Sequence, residues 1–552
     1  MIFKKGHCNK ITSILLLIIC FMIVKRADAK VLKLDTKKTV KNEILNVKFA
    51  ESKTADLLFY IVDDININNA LKSSYGKNLQ SEIEYNDFKP STGKVANVGI
   101  FNKQKVVFVG FDENKKNTKQ SKTDIDKDLI LQVQKLGAKV ADLVPSNKII
   151  TVAISNKFSN LTDEMLVEAY FGFNQRNYRF SKYLTNKESI EKNPRVKEVL
   201  LDGKNNNKSS QDLLIKKLIQ KRQNQLEGIF YVRSLGNEPS NVMYPESFAN
   251  EIKSAFSEIK DAKVKILNKK DLEKLGMNML LGVAQGSAKE PKVVVVEYIG
   301  NKKKKDYDLA LIGKGVTFDS GGLSLKPSPH MEGMKCDMVG AATVMSSLLA
   351  IAKNNLKINA VAVTGMVENM PDGNAQKVGD IVKSMSGKTV EIIDTDAEGR
   401  LVLGDVLYYA QSNYKPTYII DMATLTGAIM VALGTERAGI FSNNNEMAEK
   451  IKESGEKTGD RCWVMPMGEE YADAMKSKIA DLRNLSSVRY AGSATAGEFL
   501  HNFIGDNKNW AHIDIAGVDN ATKNNAFCIA DFVSGFGVKL INDFVEKNIE
   551  NH

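Results

Sequence analysis

The stretch that decides the fold is Asp-Thr-Asp-Ala-Glu-Gly-Arg-Leu at positions 394–401. It follows an apolar run, Val390 to Ile393, which predicts a short buried strand, and a helix is predicted to begin near its last residue. Asp396, Glu398 and Arg400 alternate, so their side chains leave one side of an extended segment. Ligands of open α/β sheets bind at the carboxyl ends of strands. The stretch is therefore either a binding site at a strand end or a solvated turn with an acidic helix cap.

A second segment supplies matching side chains. Residues 309–312 (Leu-Ala-Leu-Ile) predict a buried strand, which runs into the glycine-rich segment 313–322. Glycines permit tight turns and close approach of a ligand. Lys314 and Asp319 in this segment are therefore expected at the carboxyl end of a strand as well. Lys326 follows in a loop that two prolines mark.

The helix predicted next, from about Met331 to Asn354, carries an unusual carboxylate. Its apolar residues recur at helical spacing, and Asp337 lies on or beside the apolar face that they form. A buried carboxylate must be paired, protonated or bound to a metal ion. The alternative to a metal site is one buried salt bridge, with Lys326 as the partner.

The histidines argue against a histidine-rich metal site. The chain has five of them, and no H-E-x-x-H motif is present. Asp319, Asp337, Asp396 and Glu398 can instead form a carboxylate cage, in which four negative charges balance two divalent cations. Hard oxygen ligands suit Mn²⁺ or Mg²⁺, and Zn²⁺ also accepts them. Two neighbouring metal ions can share a water and lower its pKa.

Other catalytic motifs are absent or incomplete. Ser-Gly-Lys-Thr at 386–389 resembles the end of a phosphate-binding loop, but Val382 stands where the first glycine is required. The sequence contains no G-x-S-x-G nucleophile elbow. The motifs thus favour metal-dependent hydrolysis over nucleotide or serine chemistry.

Four blocks of the sequence resemble the leucyl (cytosol) aminopeptidase family. They are residues 313–322, 395–401, 423–428 and 510–517, within a region of dense resemblance from about 231 to 539. The resemblance implies an α/β fold with a smaller N-terminal α/β domain and a C-terminal three-layer αβα catalytic domain around a mixed sheet. It also implies peptide substrates that lose unblocked N-terminal residues, with Leu and other apolar residues preferred.

The resemblance also assigns roles. It implies one metal ion at Lys314, Asp319, Asp337 and Glu398, and another at Asp319, Glu398 and Asp396, whose backbone carbonyl is also implicated. Lys326 and Arg400 match the catalytic positions, while Met334, Thr424, Leu425 and Gly427 match the pocket for the first side chain. Two divalent ions are implied, Mn²⁺ before Zn²⁺, with a metal-activated hydroxide as the attacking group. Arg400 is the expected site for a bicarbonate, and a homohexamer is the expected assembly.

One position departs from the family. Family members usually carry Asn where this chain has Asp394. The extra carboxylate beside the cage is expected to be protonated, paired with a lysine or turned away. Metal preference and pH optimum are the properties that it would affect.

Length and composition predict a globular protein of more than one domain. The chain has 552 residues, of which 43% are hydrophobic and 26% charged. We predict a leader at 1–29, an N-terminal α/β domain at 30–200, a linker and connecting helix at 201–227 and a catalytic domain at 228–552. In the N-terminal domain, 57–62 and 105–110 are predicted strands and 130–144 a predicted helix; 212–227 is the predicted connecting helix.

The leader and the cysteines point to different compartments. An apolar run from Ile14 to Val24 follows three lysines, and Ala-Asp-Ala at 27–29 resembles a signal cleavage site. The run is shorter than the about 20 residues of a membrane span, so no stable span is expected. Five scattered cysteines form no disulfide framework, which favours a reducing compartment. A cytoplasmic location, which the resemblance implies, is the expectation, and export is the alternative.

The net charge of +11 raises a second functional hypothesis, a DNA-binding regulatory protein on the same scaffold. The excess is mostly lysine and is spread along the chain. Lys302 to Lys305 is its densest run, and no DNA-binding motif accompanies it. Such a run is more typical of a solvated loop.

Overall fold

Two β-sheets, each covered by helices, form the framework of the chain. The computed structural model describes residues 40–41, 43–112, 122–146, 149–186, 195–204 and 212–550. The predicted leader and residues 205–211 of the predicted linker lie outside these ranges.

The strands are β1 (Asn46–Phe49), β2 (Leu57–Val62), β3 (Val95–Phe101), β4 (Gln104–Gly110), β5 (Ile149–Phe158), β6 (Arg195–Asp202), β7 (Ala262–Leu267), β8 (Lys292–Ile299), β9 (Leu309–Asp319), β10 (Asn359–Asn369), β11 (Ile381–Lys383), β12 (Thr389–Glu391), β13 (Tyr418–Ala423), β14 (Ala438–Ser442), β15 (Cys462–Val464), β16 (Leu482–Arg483) and β17 (Trp510–Asp514).

The helices are α1 (Ile67–Leu71), α2 (Gly76–Asn86), α3 (Lys122–Asp142), α4 (Asp163–Asn177), α5 (Leu213–Asn237), α6 (Pro245–Ala255), α7 (Lys269–Leu275), α8 (Asn278–Ala284), α9 (Ser328–Met331), α10 (Val339–Lys353), α11 (Gly399–Tyr414), α12 (Gly427–Leu433), α13 (Asn445–Thr458), α14 (Glu469–Ala472), α15 (Gly492–His501) and α16 (Val538–Val545). Short 3-10 turns lie at Ser52–Thr54, Met334–Cys336 and Asp473–Met475, and a π-helical turn at Glu546–Glu550 follows α16.

The N-terminal domain contains a six-stranded sheet in the order β1-β6-β5-β2-β4-β3. All neighbours are parallel except β3 and β4. The predicted strand 57–62 is confirmed as β2, and the predicted strand 105–110 begins one residue earlier. The predicted helix at 130–144 is longer and begins at Lys122. Gly137 and Gly172 let α3 and α4 approach closely, because a Cβ on either would overlap a backbone carbonyl of the other helix.

The catalytic domain contains a mixed eight-stranded sheet in the order β15-β14-β17-β13-β9-β10-β8-β7. The central strands β17, β13, β9 and β10 are parallel. Helix α11 covers one face, where Ile312, Val363 and Val402 are buried in one cluster. Helix α10 covers the other face, where Gly313 leaves no room for a side chain beside Ala341. The predicted three-layer αβα architecture is confirmed. Each Val or Ile side chain buried between the layers stabilises the folded state by roughly 1.5–3 kcal/mol.

The strand that carries Lys314 is longer than predicted. β9 continues through the glycine-rich segment to Asp319, so Lys314 lies in the middle of the strand and only Asp319 lies at its end. Gly313 and Gly315 explain the difference, because they admit Ala341 of α10 and the backbone of Gly365 at close range. The glycines thus permit packing within the sheet where a turn had been predicted.

The strand before residues 394–401 does not belong to the main sheet. β12 is only three residues long and forms a small sheet in the order β11-β12-β16. Val390 and Ile392 are nevertheless fully buried, as the apolar run predicted. α11 begins at Gly399, two residues before the predicted start.

The predicted helix from Met331 to Asn354 is broken into α9, the turn Met334–Cys336 and α10. The break occurs at Gly333, whose φ of 88° lies in the left-handed region that a continuous helix cannot contain. Asp337 therefore lies in the turn before α10 and not on a helix face. The segment 328–353 has the length and hydropathy of a membrane span, but 89% of its most apolar window is buried inside the structure.

The predicted connecting helix continues to Asn237 as α5, ten residues beyond the predicted boundary at Glu227. Gly228 lies inside it because α5 and α10 pack closely, and a Cβ there would lie 3.0 Å from the carbonyl oxygen of Ser346. The boundary between the two domains stays a prediction.

Candidate metal and catalytic centre

The ends of two neighbouring strands and the loops around them bring the predicted site residues of the catalytic domain together. Asp319 ends β9, and its partner across the sheet, Asn369, ends β10. The turn before α10, the loop between β12 and α11 and the loop after β13 converge on the same end of the sheet. Six predicted residues meet there: Lys314, Asp319, Lys326, Asp337, Asp396 and Glu398.

Lys314 lies at the inner end of the site. Its Nζ is 2.7 Å from Asp337 Oδ1 and 2.8 Å from Glu398 Oε1, and it donates to the carbonyl oxygen of Thr424 at 2.9 Å. The alternative sequence reading paired Asp337 with Lys326. That pairing is wrong, because Asp337 forms its ion pair with Lys314 from the middle of β9, while Lys326 forms ion pairs with Asp319 and Asp396.

Lys326 lies at the outer end of the site. Its Nζ is 2.9 Å from Asp319 Oδ2 and 2.5 Å from Asp396 Oδ1. The Lys326 side chain is 15% exposed and that of Asp396 is 35% exposed, whereas Asp319 is buried. Solvent therefore reaches this centre from the side of Lys326 and Asp396.

Asn369 orients the carboxylate of Asp319, and Thr395 ties the loop before α11 to the loop after β9; neither role was predicted. Asn369 Nδ2 donates to Asp319 Oδ1 at 2.8 Å and to the carbonyl oxygen of Thr395 at 2.9 Å. Thr395 Oγ1 donates to the carbonyl oxygen of Gly321 at 2.6 Å. The sequence feature that could have predicted Asn369 is its position as a polar residue at the end of a long apolar run, which it shares with Asp319.

The donor atoms fit divalent cations. One carboxylate oxygen from each of Asp319, Asp396 and Glu398 lies within 4.8 Å of the others. Asp337 Oδ2 is buried and has no hydrogen-bond partner among the described residues. Hard oxygen donors of this kind suit Mn²⁺, Mg²⁺ and Zn²⁺. Four carboxylates face only two ammonium groups, so the side chains leave a negative charge for cations to balance.

The pKa values reflect this crowding. Burial by itself lowers the pKa of Lys314, but the carboxylates of Asp337 and Glu398 outweigh burial and raise it above its ordinary value. Burial also raises the pKa values of Glu398 and Asp396. Lys314 is therefore an ammonium ion in this network, and it can bind a metal ion only after losing a proton.

Arg400 lies in the first turn of α11, directly after the loop that carries Asp396 and Glu398. Its side chain is buried, and Nη1 donates to the backbone carbonyl oxygen of Asn484 at 2.8 Å. Nε has no hydrogen-bond partner among the described residues. Burial lowers the pKa of Arg400 to about 10, so the guanidinium is still charged at neutral pH.

One of the predicted pocket residues, Thr424, contacts the cage directly, and the other three lie close to it or to Asp337 in the sequence. Thr424 Oγ1 donates to Asp337 Oδ1 at 2.7 Å. The Leu425 side chain packs against the core that contains α11, and Gly427 begins α12. Met334 begins the turn that leads into Asp337. All four residues therefore belong to the two loops that hold the inner end of the site.

Asp394 faces its own loop. Its Oδ1 accepts a hydrogen bond of 2.9 Å from the backbone N–H of Asp396. The amide oxygen of an asparagine can accept the same bond. Among the described residues no lysine forms an ion pair with Asp394; its carboxylate instead accepts a hydrogen bond within its own loop, an arrangement that was not among the three expected.

Comparison with known proteins gives consistent results. The family model described as "Cytosol aminopeptidase family, catalytic domain" matches residues 230–542. The probable cytosol aminopeptidase of Rickettsia bellii (strain OSU 85-389) is 43% identical over 424 residues, 76% of this chain and 82% of that protein. The cytosol aminopeptidase of Rickettsia prowazekii (strain Madrid E) is 37% identical over 524 residues, 91% of this chain and 100% of that protein.

A solved structure shares the fold. The bottromycin maturation enzyme BotP, determined in complex with Mn, has a TM-score of 0.74 to this chain and is 26% identical. The match covers 89% of this chain and 99% of that one. The similarity thus extends over both domains.

Proposed function

The chain belongs to the cytosol aminopeptidase family, and from that premise we propose which of its residues perform the reaction. It is a metal-dependent aminopeptidase and hence a hydrolase. The observation that carries the proposal is the convergence of three carboxylates within 4.8 Å, with two lysines beside them.

Asp319, Asp337, Asp396 and Glu398 are the proposed metal ligands, and Lys314 is the fifth once it has lost its proton. The complement is two divalent ions, Mn²⁺ first and Zn²⁺ as the alternative; the Mn-bound relative BotP supports this order. Such ions supply a water of lowered pKa and polarise a carbonyl group.

Lys326 is the proposed electrostatic catalyst. Its ammonium group lies at the solvent side of the cage, between Asp319 and Asp396. A fixed cation at that place stabilises the negative charge that develops on the scissile carbonyl oxygen in the transition state. The surrounding carboxylates raise its pKa, so it keeps its proton throughout.

Arg400 is the proposed site for a bicarbonate that acts as a general base. A guanidinium presents two parallel N–H groups to a planar anion, and Nε of Arg400 is not engaged by the described residues. A bicarbonate there would accept a proton during attack on the peptide bond.

Met334, Thr424, Leu425 and Gly427 are proposed to line the pocket for the first side chain. A pocket with Met and Leu favours Leu and other apolar residues, and a free α-amino group is needed as a further ligand. We also propose a cytoplasmic homohexamer; the names of the relatives support the compartment.

The DNA-binding alternative gains no support among the described residues. Lys302 pairs with Asp261 at 2.7 Å, and Lys304 pairs with Asp308. Both lysines are exposed and are thus part of a solvated loop with local ion pairs. The curated relatives that we compared are named as aminopeptidases.

The test is hydrolysis of Leu-p-nitroanilide by metal-stripped protein, with Mn²⁺, Zn²⁺, Co²⁺ and Mg²⁺ restored one at a time. We expect metal-dependent turnover that disappears when the substrate amine is acetylated. Turnover of the acetylated substrate would refute the proposed role of the free amine. Absence of turnover with every metal, for a folded protein, would refute the assigned site.

A further inference from the structure

The loop between β12 and α11 has no regular secondary structure, although it carries two proposed site residues and leads directly into a third. Asp396, Glu398 and Arg400 all lie in it or directly after it. An irregular segment holds one geometry only if its backbone groups are fixed by partners elsewhere. The side chain of Asn484, from a segment about 90 positions later in the sequence, makes four hydrogen bonds to this backbone.

Asn484 makes hydrogen bonds to both sides of the loop backbone. Its Oδ1 accepts from the N–H groups of Ile393 at 2.7 Å and Asp394 at 3.3 Å. Its Nδ2 donates to the carbonyl oxygens of Asp394 at 2.6 Å and Ala397 at 3.3 Å. Asn484 is fully buried, so no water competes for these bonds. A primary amide is suited to this position because it has both an acceptor oxygen and two N–H donors.

The same residue also anchors the proposed catalytic arginine. The backbone carbonyl oxygen of Asn484 accepts the 2.8 Å hydrogen bond from Arg400 Nη1. Asn484 therefore fixes both the start of the loop and the side chain that follows it.

The small three-stranded sheet explains how Asn484 reaches the loop. β16 pairs with β12 in parallel, with Leu482 opposite Val390 and Arg483 opposite Glu391. The N–H of Asn484 donates to the carbonyl oxygen of Glu391 at 3.0 Å and extends this pairing by one residue. The sheet thus sets the register between Asn484 and the loop.

We propose that Asn484 is a positioning residue, which holds the loop so that Asp396 and Glu398 converge on the metal ions and Arg400 faces the substrate. The inference rests on the proposed function of those three residues. Removal of a group that orients metal ligands usually lowers metal affinity or activity by about 10- to 100-fold. We expect a loss of roughly this size when the Asn484 side chain is removed. A displacement of about 1 Å in a catalytic group has a similar effect on turnover.

The experiment compares Asn484→Ala with Asn542→Ala as a matched control. Asn542 is also fully buried, and its Nδ2 donates to the carbonyl oxygens of Ser347 and Val538. Because Asn542 lies on α16, its replacement removes two buried amide hydrogen bonds and the same side-chain volume without touching the loop. For each protein we would measure Tm, kcat and KM for Leu-p-nitroanilide, and Mn²⁺ affinity by competition with a chromogenic chelator.

We expect Asn484→Ala to lower kcat and Mn²⁺ affinity by about 10- to 100-fold while KM changes little. Asn542→Ala should lower Tm and leave kcat and Mn²⁺ affinity near the wild-type values. Equal kcat and Mn²⁺ affinity in the two variants would overturn the positioning role. Because Mn²⁺ affinity is measured without substrate, a wild-type protein that binds Mn²⁺ but does not turn over would refute the proposed function separately.

Hydrogen exchange in the wild-type protein keeps the proposal testable if Asn484→Ala does not fold. The amides of Ile393 and Asp394 should exchange slowly because Asn484 Oδ1 accepts from both of them. Rapid exchange of both amides would overturn the proposal.

Discussion

Gly399→Ala should damage the site without damaging the fold. Gly399 is the first residue of α11, and a Cβ there would lie 2.5 Å from Cε and 2.7 Å from Nζ of Lys314. Carbon atoms in contact stay about 3.5–4.0 Å apart, so the end of Lys314 must move by about 1 Å. This movement displaces the ammonium group of Lys314 from its position between Asp337 and Glu398.

We expect the substitution to lower turnover strongly and the free energy of unfolding only slightly. Nζ of Lys314 is now 2.7 Å from Asp337 and 2.8 Å from Glu398, and a shift of about 1 Å takes it out of hydrogen-bonding range of at least one of them. A misplacement of this size can cost about 100-fold in turnover, equivalent to ~2.8 kcal/mol. Gly399 is not among the glycines with positive φ, so an alanine there adds no backbone strain.

The assay is kcat for Leu-p-nitroanilide at saturating Mn²⁺, together with thermal unfolding of the metal-stripped protein. Gly404→Ala is the control, because it lies on the same helix and its Cβ would press on Met279 and Phe503 in the core. We expect Gly404→Ala to lower Tm more than kcat and Gly399→Ala to do the reverse. A Gly399→Ala variant with kcat within about threefold of wild type, ~0.7 kcal/mol, would refute the steric reasoning.

The remaining predictions concern the two lysines and two aspartates. Lys314→Ala should lose one metal ion per chain, whereas Lys326→Ala should keep both and lose about 100-fold in kcat; metal counting that gives the same number for both variants would contradict this. Asp394→Asn should leave kcat and metal preference within about threefold, since an amide oxygen accepts the same N–H; a changed metal preference would show that the carboxylate charge reaches the cage. Burial raises the pKa of Asp405 from 3.8 to about 7. Since the folded state then binds the proton more tightly than the unfolded state, this group's contribution to stability is full below about pH 4 and is lost as the pH rises to about 7, by up to ~4 kcal/mol. Asp405→Asn should remove that part of the pH dependence of Tm, and parallel Tm profiles for the two proteins would contradict it.

The sequence by itself determined the fold class and the chemistry. Short apolar runs before polar, glycine-rich segments predicted an α/β sheet with acidic and basic side chains at one end, because strand burial and ligand binding leave those patterns locally. For this reason the sequence alone predicted site residues in the segments 394–401 and 313–322. The resemblance to a family followed from the same residues, and it is confirmed by the match over residues 230–542.

Only the tertiary structure decided which lysine meets which carboxylate. The sequence left two interpretations of Asp337 open, a metal site that the resemblance shares with Lys314 and a salt bridge to Lys326. In the structure β9 stays extended through Gly313 and Gly315, and the ion pair that forms joins Asp337 to Lys314. The role of Asn484 could not be predicted from local sequence either, because it is a single asparagine about 90 positions after the loop that it contacts. Its role depends on the pairing of β12 with β16, a long-range contact that no local spacing encodes.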